Sequence, residues 1–287
     1  MKKIIVGSIG LNQNAKLNWL DVSDITDMSF VFNNLDPHNI GIDKWDVSNV
    51  SNFDSMFNEC NNLVCDVSEW NMSNASSLSG MFNKCFKFNS DVSDWDVSGV
   101  NNFCDLFNDC HEFNSDLSRW DVSNAVTMDG MFKSCYKFNS DLSHWDVSNV
   151  YNMCDMFFEC YEFNSDLSNW DMSNMDTTSG MFVDCHKFNS DLSQWDVKNV
   201  TNMNNMFFRC KNFNSDLSNW SVKMVMDMSY MFYGCEKFDS DLSKWTCPRI
   251  GVGDSAITHM FDGCIQLIKF NKIPRWFKEK SIIRDVK

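Results

Sequence analysis

The chain has 287 residues, 44% of them hydrophobic and 22% charged, with a formal net charge of −15. The low charge content excludes a disordered polyelectrolyte. The acidity excludes a nucleic-acid backbone as partner, which needs a basic face, and disfavours an anionic membrane surface, while a cationic partner or simple solubility fits. No apolar run reaches the roughly 18 residues that crossing a bilayer requires, so no membrane insertion is expected.

The N-terminal stretch carries two lysines and a short apolar run, Ile4 to Leu11. Gly7, Ser8 and Gly10 interrupt that run, and no small-residue cleavage site follows. It reads as a strand covering one end of the molecule in preference to a signal peptide.

From there a period governs the chain. Tryptophan stands at 45, 70, 95, 120, 145, 170, 195, 220 and 245, every step being 25 residues. Phenylalanine keeps the same register from Phe32 to Phe232, and cysteine from Cys60 to Cys235. Phe261 and Cys264 come 29 residues after their predecessors, which places a four-residue insertion within 247–254. The alternation in W-D-V predicts a short strand, and the three- and four-residue spacing of M-x-x-M-F-x-x-C predicts a short helix or turn. Asn-Ser-Asp after it supplies turn chemistry. One such unit cannot bury its apolar side alone, whereas stacked units share a continuous core. The expected fold is therefore a repeat solenoid of about ten coils, with degenerate residues 1–30 as N-terminal cap and first coil, 31–264 as the solenoid and basic 265–287 as C-terminal cap. An amphipathic helix is expected near Pro274–Ile283.

A second period lies inside the first. Gly80, Gly130 and Gly180 occur in alternate copies. Lys87, Lys137, Lys187 and Lys237 alternate with Asn62, Glu112, Glu162 and Asn212. The duplication unit is thus two coils, and Lys and Glu in that column are placed to pair along the axis.

The copies WDVSNVYNMCDMFFECYEFNSDLSNW (145–170) and WDVKNVTNMNNMFFRCKNFNSDLSNW (195–220) resemble the BspA-like leucine-rich-repeat surface proteins. The resemblance implies a right-handed, leucine-rich-repeat-like solenoid and a role in adhesion or protein binding at a cell surface, with a host surface ligand among the partners. The absence of a convincing export signal or anchor makes a cytoplasmic or virion-associated protein admissible beside that.

Chemistry beyond binding has little footing. The in-register cysteines read as reduced core thiols, with disulfides between adjacent rungs as the alternative; a ladder does not converge four ligands on a zinc ion. Cys65, Cys104, Cys154 and Cys247 stand outside the column and are expected to be more exposed. Aspartate forms two columns, one from Asp66 to Asp241, which reads as turn caps, and one after Trp at Asp46, Asp96, Asp121, Asp146, Asp171 and Asp196; the Gly-rich signature of calcium between coils is absent, and no metal or cofactor is expected. No nucleophile or metalloprotease motif occurs, so the chain is not expected to be an enzyme.

Two surfaces are candidate binding sites. On the expected strand face the residue before each Trp varies while the one after is acidic, giving a strip of Arg119, His144, Asn169 and Gln194 beside Asp121, Asp146, Asp171 and Asp196. The rival column follows Cys and is aromatic in its middle: Phe86, His111, Tyr136, Tyr161 and His186. Either surface makes the protein a non-enzymatic protein-binding or adhesion scaffold; the alternative is a structural component of a larger assembly such as a virion.

Overall fold

A computed structural model describes residues 16–250 and 255–282. Their coils stack at the spacing of the repeat. Parallel bridges join Asp27 to Asn52, Asn52 to Ser77 and so on, one residue per coil, to Asp227. The Trp, Phe, Met, Val and Cys columns are buried along the whole stack as one core.

The backbone between those columns is neither strand nor helix. Among the described residues the only regular elements are a 3-10 turn at Ser255–Ile257 and two helices, α1 (Ile265–Lys269) and α2 (Arg275–Ile282). The strand expected at W-D-V is absent, although its burial alternates as expected: Trp145 and Val147 are buried and Asp146 is exposed. Aspartate is the cause. Asp141 Oδ1 accepts the Ser143 N–H at 2.9 Å and Asp146 Oδ1 accepts the Ser148 N–H at 3.0 Å, and each bond folds the chain into a turn. Backbone groups in this half are consequently satisfied by side chains of neighbouring coils. The Trp145 indole N–H donates to the Leu117 carbonyl at 3.1 Å, the Leu142 N–H to the Ser165 hydroxyl at 2.8 Å, and the Asn149 amide to the Ser123 carbonyl at 2.8 Å.

The helix expected over M-x-x-M-F-x-x-C is a ribbon of consecutive turns. In the coil of Met153 the N–H groups of residues 153, 155, 157 and 159 donate to carbonyls 177, 179, 181 and 183 of the next coil. The intervening Met156, Phe158 and Cys160 donate three residues back. An α-helix satisfies its own backbone and leaves nothing for a neighbour; a solenoid needs half of these donors for the next rung. The alternation requires left-handed backbone at two positions per coil, such as Asp155 (φ 52°) and Glu159 (φ 58°). The inter-coil backbone ladder therefore runs along this ribbon and not along W-D-V.

Ring spacing differs from column to column. Successive rings lie 6.2–6.5 Å apart in the Trp column from Trp95 to Trp245, and 5.6–5.9 Å in the Phe column from Phe82 to Phe232. Beside the ladder, Phe208–Tyr233 are 4.9 Å and Tyr136–Tyr161 5.0 Å apart, close to the strand-to-strand distance of about 4.8 Å. The half-buried rings on the ladder side thus stack more closely than the buried Trp and Phe columns.

At the C-terminal end the cap takes over the duties of a further coil. The Leu242 N–H, which a serine would accept in the interior, donates to the Lys272 carbonyl at 3.0 Å, and the Trp276 indole donates to the Trp245 carbonyl at 2.8 Å. Helix α2 falls within the expected 274–283 window. The insertion is absorbed without loss of register: the Cys264 thiol reaches the Phe232 carbonyl across 32 residues where interior cysteines span 28. The strand expected near Ile4–Leu11 and residues 251–254 of the insertion lie outside the described residues.

The cysteine column is sealed. Each in-register thiol from Cys60 to Cys264 donates to a phenylalanine carbonyl one coil back, at 2.8–3.2 Å. Burial pushes these thiols up, Cys60 and Cys264 to about 12. Cys65 and Cys247, expected to be more exposed, are buried as well; only Cys104 and Cys154 are half-exposed. Native protein treated with iodoacetamide at neutral pH is therefore expected to label at Cys104 and Cys154 first and at Cys110, Cys135 and Cys160 only after denaturation. Rapid native labelling of those last three, read by mass spectrometry, would contradict the core assignment.

Candidate functional site

Both candidate surfaces exist, and they differ in kind. Arg119, His144, Asn169 and Gln194 are exposed, as are Asp121, Asp146 and Asp171, with Asp196 half-buried. They line the tryptophan side and not a strand face. Their aspartates are occupied locally: Asp121 accepts the Ser123 N–H at 3.0 Å and Asp171 the Ser173 N–H at 2.9 Å. The serine hydroxyl and N–H hold both carboxyls below the usual carboxylate range. Arg119 reaches back to Asp94 at 2.6 Å, a surface pair open to solvent. The strip is thus uniform turn caps beside a solvated variable column.

The aromatic column is assembled on the ladder side. Phe86 stacks on His111 (4.7 Å, 7°), His111 on Tyr136 (4.4 Å, 16°) and Tyr136 on Tyr161 (5.0 Å, 13°), and His186 meets Tyr161 edge-on at 5.5 Å. All five rings are half-buried. The cause is position: each follows a buried cysteine and comes beside the closely spaced ladder, where one coil step equals a stacking distance.

The ladder ribbon brings further side chains to that strip which the sequence reading did not single out. Asp109, Glu159 and Asp184 border it, with Lys84 near Asp109 and Arg209 3.9 Å from Asp184, and Asp105, Asp129 and Asp155 form a second group on the ribbon around Lys133, which is bonded to Asp155 at 2.7 Å. Burial pushes the Asp129 carboxyl up, and the charges of Asp105 and Asp155 push it further. Burial also raises the Tyr136 and Tyr161 hydroxyls, followed by the charge of Glu159. Gly130 and Gly180 have positive φ, and a Cβ at either would meet the Asp105 or Asp155 carboxylate of the preceding coil, which would have to move aside. The signal for this face was available as variation: the residue after Met-Phe runs Asn58, Asn83, Asn108, Lys133, Phe158, Val183, Phe208, Tyr233, against D-L-S-x-W-D-V-S repeated with little change on the other side.

Lys137 pairs with Glu112 and Lys187 with Glu162, the lysine reaching one coil back as the alternation of the two columns suggests. Among the described residues no three His, Cys, Asp or Glu side chains converge as metal ligands would, and no helix is long and apolar enough to cross a membrane.

A family profile described as "Mycoplasma protein of unknown function, DUF285" matches residues 1–105, 77–183 and 157–276. No curated protein matches the chain. Among solved structures, a leucine-rich repeat protein from Bacteroides ovatus is similar at 12% identity, over 85% of this chain and 81% of that one, with a TM-score of 0.31.

Proposed function

We propose, for a chain that belongs to the DUF285 family of Mycoplasma proteins of unknown function, that it is a non-enzymatic protein-binding scaffold whose contact surface is the ladder face. The observation that carries this reading is the half-buried ring stack from Phe86 to His186. Aromatic side chains dominate the energetics of protein interfaces, and rings already ordered by stacking lose little freedom on binding. A tandem-repeat scaffold of this kind suits adhesion at a surface, as the BspA-like resemblance implies, and equally a soluble adaptor.

The experiment uses the full chain as bait in extracts of its source. Two variants are compared with the parent: one with Arg119, His144, Asn169 and Gln194 all replaced by serine, the other with Tyr136→Ser and Tyr161→Ser. The tyrosine variant is expected to lose its captured protein at least about tenfold, since two hot-spot rings are worth about 2 kcal/mol or more. The first variant should retain it. The reverse result moves the site to the tryptophan side. Unchanged capture by both leaves neither face as the contact surface, and no capture by the parent favours a rigid structural part of an assembly.

A further inference from the structure

We infer that the partner of the ladder face is a cationic polypeptide segment, seated along the Tyr136–Tyr161 ring edges with its lysine or arginine groups against Asp109 and Glu159. This rests on the scaffold reading above and names the chemistry of the partner.

Stacking decides what the strip offers. The faces of Tyr136 are covered by His111 at 4.4 Å and Tyr161 at 5.0 Å, so the column presents ring edges and phenolic hydroxyls to solvent. Those oxygens accept hydrogen bonds, which ammonium and guanidinium groups donate. Charge points the same way. Asp109, Glu159 and Asp184 border the rings, while the nearest cations are already engaged, Lys84 by Glu59 at 2.7 Å and Arg209 by Asp184 at 3.9 Å. Asp109 has His111 at 3.7 Å, and Glu159 accepts from the Ser134 hydroxyl at 3.3 Å with no ion pair among the described residues. Both groups are half-buried, where a cation that pairs with them is screened less than in open solvent. The same face already seats cations on rings: Lys133 Nζ stands 4.8 Å from the Phe158 centroid and Arg209 Cζ 4.9 Å from that of Phe208.

Length argues for a polypeptide over a small amine. Four coil steps of about 4.8 Å make a strip of about 19 Å, the reach of roughly six extended residues. The acidic column on the tryptophan side lacks both features: its carboxylates are bound by their own serines, and they stand in open solvent where pairing gains little.

The test is a fluorescence-anisotropy titration of the full chain with a labelled peptide of alternating arginine and glycine, beside its citrulline twin. Three double variants accompany the parent: Asp109→Asn with Glu159→Gln, Tyr136→Ser with Tyr161→Ser, and Asp121→Asn with Asp146→Asn. The last removes the same formal charge from the other face and keeps its turns, as Asn71 does by accepting the Ser73 N–H at 3.1 Å. The arginine peptide is expected to bind at least about tenfold tighter than the citrulline peptide, and the first two variants to weaken it about tenfold or more, the third less than about threefold. Equal weakening by both charge variants would reduce the effect to diffuse acidity and overturn the assignment, as would equal binding of the citrulline twin. Matching melting temperatures establish that the variants fold; where a double variant melts lower, Glu159→Gln alone is read. If the arginine peptide does not bind while the tyrosine variant still loses its captured protein, the scaffold reading stands and the cationic partner falls.

Discussion

Removal of residues 121–170 is expected to leave a chain that melts cooperatively near the parent temperature, and removal of residues 126–137 one that does not melt cooperatively at all. The first excises two whole coils. Trp120 then leads into Asp171, every core column stays in register, and both members of the alternating pair go together. Asp105 meets Gly180 where it met Gly130, and Glu112 meets Lys187 where it met Lys137. The second excision puts His144 under Phe107 and Glu159 under Val122 and cancels the ladder at that rung. Removal of the single coil 121–145 lies between them, and this sets the two-coil unit apart from a plain 25-residue repeat. It brings Asp155, with a Cβ and a charge, onto the spot that Gly130 leaves open for Asp105, and Glu162 beside Glu112. Overpacking costs about 1–3 kcal/mol and the exposed like-charge contact under about 1 kcal/mol. The one-coil deletion should therefore fold with a lower melting temperature, and Asp155→Gly within it should restore part of the loss. Tryptophan fluorescence and near-UV circular dichroism during thermal melting separate the three chains. Identical melting of the 25- and 50-residue deletions would mean that the alternation has no energetic content.

Why the core was legible and the ladder was not follows from what a side-chain pattern records. Trp145, Phe157 and Cys160 are apolar because they face inward, and any backbone that turns them inward satisfies the pattern. A spacing of three and four is produced by a helix and equally by consecutive turns with left-handed residues between them, as at Asp155 and Glu159. Only the destination of the backbone N–H groups distinguishes the two, and no residue type spells that out. The bridge column itself is made of Asn52, Ser77, Asn102 and Thr127, small polar residues that look like loop. Their disguise has a cause: Asn102 Oδ1 accepts the Cys104 N–H at 3.0 Å, so the residue that carries the rung also starts the turn ribbon. The strip of Arg119, His144, Asn169 and Gln194 was found because the residue before Trp is conspicuous. The face of Asp129, Lys133 and Glu159 was passed over because its variation is spread over several columns, each unremarkable alone.

Truncation of one ring in the middle of the stack, Phe132→Ala, is expected to cost about 3–5 kcal/mol, toward the top of the range for buried aromatics. Phe132 is wholly buried and lies 5.9 Å from Phe107, 5.7 Å from Phe157, 4.0 Å from Phe138 and 6.2 Å from Trp145, ring to ring. In a compact domain neighbouring elements close part of such a cavity. Here they are held apart. The Phe132 N–H donates to the Met156 carbonyl at 3.0 Å, the Cys135 thiol to Phe107 and the Cys160 thiol to Phe132, so the coil spacing is set by polar bonds on every side of the hole. Collapse would break them, and the cavity term remains nearly whole. Trp145→Phe supplies the contrast. It keeps most of the ring and removes the indole donor to the Leu117 carbonyl, which still accepts the Trp120 N–H at 3.1 Å, so the lost bond is expected to cost only about 0.5–1.5 kcal/mol. Equilibrium urea unfolding of the three proteins measures both. Because each coil touches only its neighbours, the alanine variant is also expected to uncouple the two halves and split a single transition into two. A loss below about 1 kcal/mol at Phe132 would mean that the stack closes over the hole, and that the polar bonds of the ladder do not set the spacing of the coils.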